Sequence, residues 1–252
     1  MILLHIIIPL LISSIAGIST ILGFFLVFLK IKPNNLNKFI TFCLAFSISI
    51  MICISIFDLI PESFFQIVCY YSISRAITFL VFSIILSIII LRILKLFLNK
   101  SKDNLYCLGI LNMIVLIFHN LPEGIATFVS SYHDINLGLK LGLAIMLHNI
   151  PEGISIAIPI YYSTKSKIKA FRATLISGLS EPLGALLAFI FFKNYVNDLM
   201  ISFILIIVAG IMITLSIQEM LPASLKYNEN KYIYLGFFIG LLLFGLNFLL
   251  AL

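Results

Sequence analysis

Charge is what this sequence has least of. Only 10% of its residues are Asp, Glu, Lys or Arg, against 62% that are hydrophobic, and the mean hydropathy is +1.20. Soluble domains carry roughly 25% charged residues, so that class is excluded. Cysteine is sparse too. Cys43, Cys53, Cys69 and Cys107 stand apart with no C-x-x-C, which offers no disulfide framework and leaves them as small apolar residues. No stretch is rich in Pro, Gly or Ser, and the longest polar run is about ten residues. There is no room for a separate soluble domain, so residues 1–252 are expected to form a single polytopic membrane domain. The N-terminal M-I-L-L-H-I-I-I-P-L lacks the basic region and small-residue cleavage site of a signal peptide. The first apolar segment is therefore expected to be retained. The net charge of +6 would suggest nucleic acid in a soluble chain; here loop charges explain it better, and no nucleic-acid partner is expected.

What is abundant is apolar sequence in bilayer-length pieces. Eight segments can be read, at about 3–29, 37–62, 73–98, 106–130, 137–163, 169–193, 199–224 and 231–252. Each meets the roughly 20 residues a helix needs to span the hydrocarbon. They are too long and too evenly apolar for barrel strands, which selects helix. Of the 16 basic residues, 13 flank odd-numbered loops, and only Arg75, Lys140 and Lys193 fall on even ones. By the positive-inside rule the odd loops face the cytoplasm and both termini lie outside. The fold class expected is an all-α integral membrane protein of eight transmembrane helices.

The acids are more informative than the bases. Asp103, Asp134, Asp198 and Glu229 belong to loops or their edges, whereas Asp58, Glu62, Glu123, Glu152, Glu181 and Glu219 lie within or at the ends of spans. No Lys or Arg sits at the depth of Glu123, Glu152 or Glu181. Carboxylates without a fixed counter-charge must bind protons or cations, and intramembrane ionisable residues mark function by default. Two of these glutamates close near-identical hexapeptides, H-N-L-P-E-G at His119–Gly124 and H-N-I-P-E-G at His148–Gly153. In each, His and Glu are four residues apart and share a helix face. One such pair would be ordinary interhelical glue. Two copies in adjacent antiparallel spans, plus Glu181, point to a cation site, because glue needs no repeated Asn, Pro and Gly. Neutral imidazole and carboxylate suit Zn²⁺ and Fe²⁺. Pro122, Pro151 and Pro182 free the carbonyls of Phe118, Leu147 and Gly178, and Gly124 and Gly153 permit close helix approach. Two overlapping sites can be drawn. His119, Glu123, His148 and Glu152 make a mixed nitrogen–oxygen site; Asn120, Glu123, Asn149, Glu152 and Glu181 make an oxygen-rich one.

A weaker repeat links F-D-L-I-P-E-S (Phe57–Ser63) with Q-E-M-L-P-A-S (Gln218–Ser224), pairing Asp58 with Glu219 across the two prolines. Helices 1–3 and 6–8 would then form an inverted repeat around helices 4 and 5, with Asp58, Glu62 and Glu219 at opposite pathway mouths. Gly17 and Gly23 suggest a packing face on helix 1. His5 and His133 are expected at the interfaces, with most of the Phe and Tyr facing lipid or anchoring its surface.

At these hexapeptides, and at S-G-L-S-E-P-L-G in helix 6, the chain resembles the ZIP family of divalent-metal transporters over nearly its whole length. The resemblance implies uptake of Zn²⁺ across the plasma or inner membrane, with Fe²⁺, Mn²⁺, Co²⁺ or Cd²⁺ as further cargoes. It implies a two-metal site on the residues above, no resident cofactor, and helices 1, 4, 5 and 6 moving as a bundle against helices 2, 3, 7 and 8, often in a homodimer. One departure stands out. The loop at Asn99–Leu105 is short and lacks the histidines many members carry there. The rival from another class is an intramembrane metal-dependent hydrolase, which the lack of H-E-x-x-H and of a nucleophile beside the histidines disfavours.

Overall fold

The computed structural model describes residues 2–98, 104–192 and 198–251. Lys100, Lys102, Asp103 and Lys193, with most of the third loop, lie outside the described residues, as do the side chains of His5 and Asp198. The described residues are helical apart from short turns. Among the described residues, seven helices are long and apolar enough to cross a bilayer: α1 (Ile6–Phe28), α2 (Pro33–Tyr70), α3 (Ile73–Phe97), α4 (Leu105–His133), α5 (Ile135–Thr164), α6 (Lys167–Phe191) and α7 (Ser202–Leu225). An eighth, α8 (Asn230–Ala251), has 22 residues, which also meets the length a span requires. Large apolar side chains cover the outer faces, Phe65, Leu96, Phe97 and Tyr234 among them. In water this surface would aggregate; in lipid it is solvated. The protein is a multi-pass membrane protein.

Helix 2 departs from the sequence reading. It does not stop near Glu62 but runs on to Tyr70, leaving Tyr71 and Ser72 as the link to α3. The acid and proline that looked like a terminus are absorbed by a π turn over Ser55–Leu59, in which the Ile60 N–H donates to the Ser55 carbonyl. Widening the helix by one residue reroutes the ladder just ahead of Pro61, which has no N–H to give. In α7 the same device recurs over Ser216–Met220, with the Leu221 N–H on the Ser216 carbonyl just before Pro222. The two segments, S-I-F-D-L-I-P-E-S and S-I-Q-E-M-L-P-A-S, therefore share local backbone as well as spelling, in helices that run in opposite directions.

Two tight turns set the depth of everything that follows. Asp134 alone separates α4 from α5; its carboxylate caps α5 by accepting from the Asn136 N–H at 2.8 Å. Lys165, left-handed at φ 56°, and Ser166, which caps α6 through the Lys169 N–H, separate α5 from α6. His119 and His148 lie 15 and 14 residues from Asp134, and Glu152 and Glu181 lie 14 and 15 residues from Ser166. At 1.5 Å per residue each is about 21 Å from its turn. Antiparallel neighbours counted from a shared turn meet level, so both pairs face each other midway along the helices.

The helices sort into two groups by contact. α1, α4, α5 and α6 pack on one another, as do α2, α3, α7 and α8, while α2 against α5 and α4 against α7 form most of the seam. The largest apolar core fills that seam, with Met51, Leu116, Ile156, Ile158 and Met212 fully buried.

Candidate metal centre

Both hexapeptides sit in unbroken helix, so His and Glu one turn apart do share a face. Their closing glycines explain how the carboxylates come together. A Cβ on Gly124 would strike the backbone of Glu181 in α6, and one on Gly153 would strike the backbone of Thr20 in α1. Gly17 and Gly23 take the reciprocal positions, against Gly178 with Glu181 and against Ile150. Backbone-to-backbone contact on these lines draws α1, α4, α5 and α6 around one buried centre.

At that centre Glu123 Oε1 stands 3.1 Å from His119 Nε2 and 3.2 Å from His148 Nε2, and His119 Nε2 stands 3.2 Å from Glu152 Oε1. Close as they are, His119 Nε2, His148 Nε2 and Glu152 Oε1 are buried atoms with no hydrogen-bond partner. The groups converge on one point, close enough to pair with one another as well. The ligand atoms of His119, His148 and Glu152 all lie within 4.8 Å of one another. Four ligands about 2.0–2.1 Å from a tetrahedral zinc are about 3.3–3.4 Å apart, close to the three short separations here. Buried polar groups of this kind are costly unless satisfied, and a dication between them would satisfy all of them at once.

The oxygen-rich set lies alongside. Asn149 Nδ2 donates to Glu181 Oε2 and to the Ala16 carbonyl, both at 2.8 Å, tying α5 to α6 and α1. That leaves Asn149 Oδ1 and Glu181 Oε1 buried without hydrogen bonds. The Asn120 amide suits its surroundings best with its nitrogen 3.1 Å from Glu152 Oε2 and 3.0 Å from the Leu116 carbonyl; turned over, it keeps one bond of 3.4 Å to the Ser177 carbonyl. All seven residues are buried, and His148 (8%) and Glu123 (4%) keep the most exposure.

That exposure faces a cavity of about 620 Å³ whose wall includes Asp58, Glu62, Gln66, Lys140, Glu123 and His148. It opens at the Asp134 end of the bundle. Asp58 and Glu62 stand one turn apart within α2 and line its wall. Glu219 is elsewhere. Its carboxylate is held by Lys95 Nζ at 2.8 and 2.9 Å, in a second cavity of about 290 Å³ lined also by Cys107, Leu108, Leu111 and Lys226. The two cavities share no lining residue. Sequence reasoning missed the Ala16 and Ser177 carbonyls and Lys95, whose roles depend on helices far away in the chain and carry no local signal.

Buried nitrogen and oxygen ligands enclosed by spanning helices, and reached by a cavity from one end, define a membrane transporter of divalent cations. Zinc transporter ZupT of Oceanobacillus iheyensis is 32% identical over 260 residues, covering 95% of this chain and 96% of that protein. The ZupT zinc transporters of Streptococcus mutans (31% identity, 98% of each chain) and Clostridium perfringens (30%, 95% of this chain and 94% of that one) are similar at comparable length. A sequence profile described as ZIP Zinc transporter matches residues 99–247, more than half of the chain. The chain belongs to the ZIP family. Its members are transporters, which removes the hydrolase alternative.

Proposed function

We propose that this protein carries Zn²⁺ into the cytoplasm, binding it midway across the membrane and exposing it to each side in turn. His119, Glu123, His148 and Glu152 hold the ion through two nitrogens and carboxylate oxygen. Asn120, Asn149 and Glu181, sharing Glu123 and Glu152, hold a second ion or receive the first as it moves. The oxygen-rich half suits Fe²⁺ or Mn²⁺ as well, and Co²⁺ and Cd²⁺ are further candidate cargoes. The observation that carries this reading is the convergence of two imidazole nitrogens and two carboxylates on one buried point, with separations of 3.1–3.2 Å. Three family relatives named as zinc transporters support the choice of zinc.

The chain acts as one transport domain in the plasma or inner membrane. Its termini face outward, because the Lys-rich loops gather at the end opposite Asp134. Asp58 and Glu62 collect cations on the external side, and Glu219 stands at the internal one. The partition into two helix groups suits a rocking of α1, α4, α5 and α6 against the rest, and the apolar outer faces leave room for a homodimer. Radiolabelled Zn²⁺ uptake into proteoliposomes, with competing Fe²⁺, Mn²⁺, Co²⁺ and Cd²⁺, tests the reading. His148→Ala and Glu152→Ala are expected to lose uptake while still inserting; wild-type rates in both would refute the assigned ligands.

A further inference from the structure

Between the candidate metal centre and the Glu219 cavity lies one buried amide that the proposed ligand set leaves unused. Asn112 of α4 is fully buried in the apolar seam. Its Nδ2 donates to the Ser155 carbonyl of α5 at 2.8 Å, and its Oδ1 has no hydrogen-bond partner. Ser155 in turn donates its hydroxyl to the Glu152 carbonyl at 2.7 Å. The location is specific. Asn112 precedes His119 by seven residues, two helical turns, and so shares its face about 10 Å further along the axis. Leu108, one turn beyond Asn112 on the same stripe, lines the Glu219 cavity. In the other direction the stripe passes Glu123 and reaches Ala126 and Ser130 on the wall of the larger cavity. One face of α4 thus runs from cavity to cavity, and Asn112 is its polar group between the histidine level and the far vestibule.

An interhelical tether would account for the Nδ2 bond. It does not account for an amide oxygen buried without a partner in the helix stretch that brings Leu111 and Val115 to the apolar core, when the donor alone could be supplied without it. An amide oxygen is a hard, neutral ligand. It offers a divalent cation a single oxygen foothold in an otherwise apolar wall, which suits passage better than storage.

We propose that Asn112 Oδ1 is a transient coordination step for the metal ion on its way between the His119–Glu152 level and the Glu219 cavity. This rests on the central reading above, and the test separates the two. Zn²⁺ binding to detergent-purified protein by equilibrium dialysis is measured beside Zn²⁺ flux in proteoliposomes for wild type, Asn112→Leu and Asn112→Asp. Asn112→Leu is expected to bind Zn²⁺ as wild type does but to lose flux at least tenfold. Asn112→Asp, which keeps an oxygen but can no longer donate to Ser155, is expected to keep flux within about threefold. Flux near wild type in Asn112→Leu overturns the proposal. So does an Asn112→Asp protein that binds Zn²⁺ yet is as slow as Asn112→Leu, since the donor and not the oxygen would then matter. Wild-type protein that binds no Zn²⁺ overturns the central reading as well.

Should Asn112→Leu not fold, Asn112→Cys in a background with Cys43, Cys53, Cys69 and Cys107 all replaced by Ser takes its place. Its thiol is expected to react with a methanethiosulfonate reagent from the Lys-rich end and to be protected by Zn²⁺. Labelling that Zn²⁺ does not slow overturns the step.

Discussion

Glu123 is the residue whose loss should be most legible, because its Oε1 is shared by both histidines at 3.1 and 3.2 Å. Glu123→Gln keeps the shape and removes the charge. Truncating one partner of a buried charged contact costs binding about 2–5 kcal/mol; at about 1.4 kcal/mol per tenfold that weakens Zn²⁺ by roughly 30-fold to several thousandfold. Thermal unfolding in detergent reads this directly. A ligand at 100 times its Kd stabilises by about 2.7 kcal/mol. The same Zn²⁺ concentration would be at most about three times the Kd of the variant, worth about 0.9 kcal/mol or less. For a chain of this size the difference is roughly 4–11 °C in the zinc-induced shift. Metal-free, Glu123 still faces both histidines, and removing one partner of a buried pair can itself cost about 3–5 kcal/mol, so the zinc-induced shift of each protein is the quantity compared. A Glu123→Gln protein with an undiminished zinc shift would refute the argument that this carboxylate is kept for a cation.

Other outcomes follow from geometry. Gly124→Ala puts a Cβ into the Glu181 backbone and should cost about 1–3 kcal/mol of stability with loss of uptake, whereas Gly245→Ala, which meets nothing within 4 Å, should be silent in both assays. Imidazole and carboxylate hold metal only without their protons, so lowering the pH should weaken Zn²⁺ binding, and adding Zn²⁺ to weakly buffered protein should release protons that a pH electrode detects. Lys95→Gln breaks an ion pair whose lysine is half exposed; stability should change by less than about 1 kcal/mol, measured by the same thermal scan.

Hydropathy alone located all eight helices, because a bilayer demands long apolar runs and tolerates little else. The hexapeptides were legible for a similar reason: His and Glu four apart in such a run have few structural excuses. The boundary of helix 2 was misread because Asp58 and Pro61 look like a terminus in any linear scan; only the hydrogen-bond ladder reveals that a π turn carries the helix past them. The equal spacing of His119 and His148 about Asp134, and of Glu152 and Glu181 about Ser166, could have been counted beforehand once those turns were trusted. Asn112 could not. It interrupts G-I-L-N-M-I-V as an isolated polar residue, and its partner Ser155 lies 43 residues away on another helix.

The separation of the two cavities bears on what the cell risks by carrying this protein. With no lining residue in common, the two are separate spaces on either side of the apolar seam that holds Leu116 and Ile156. On the proposed reading, metal would cross one or two ions per cycle, at the pace of the protein's own rearrangement, and a membrane crowded with copies would be spared a standing leak of its electrical potential.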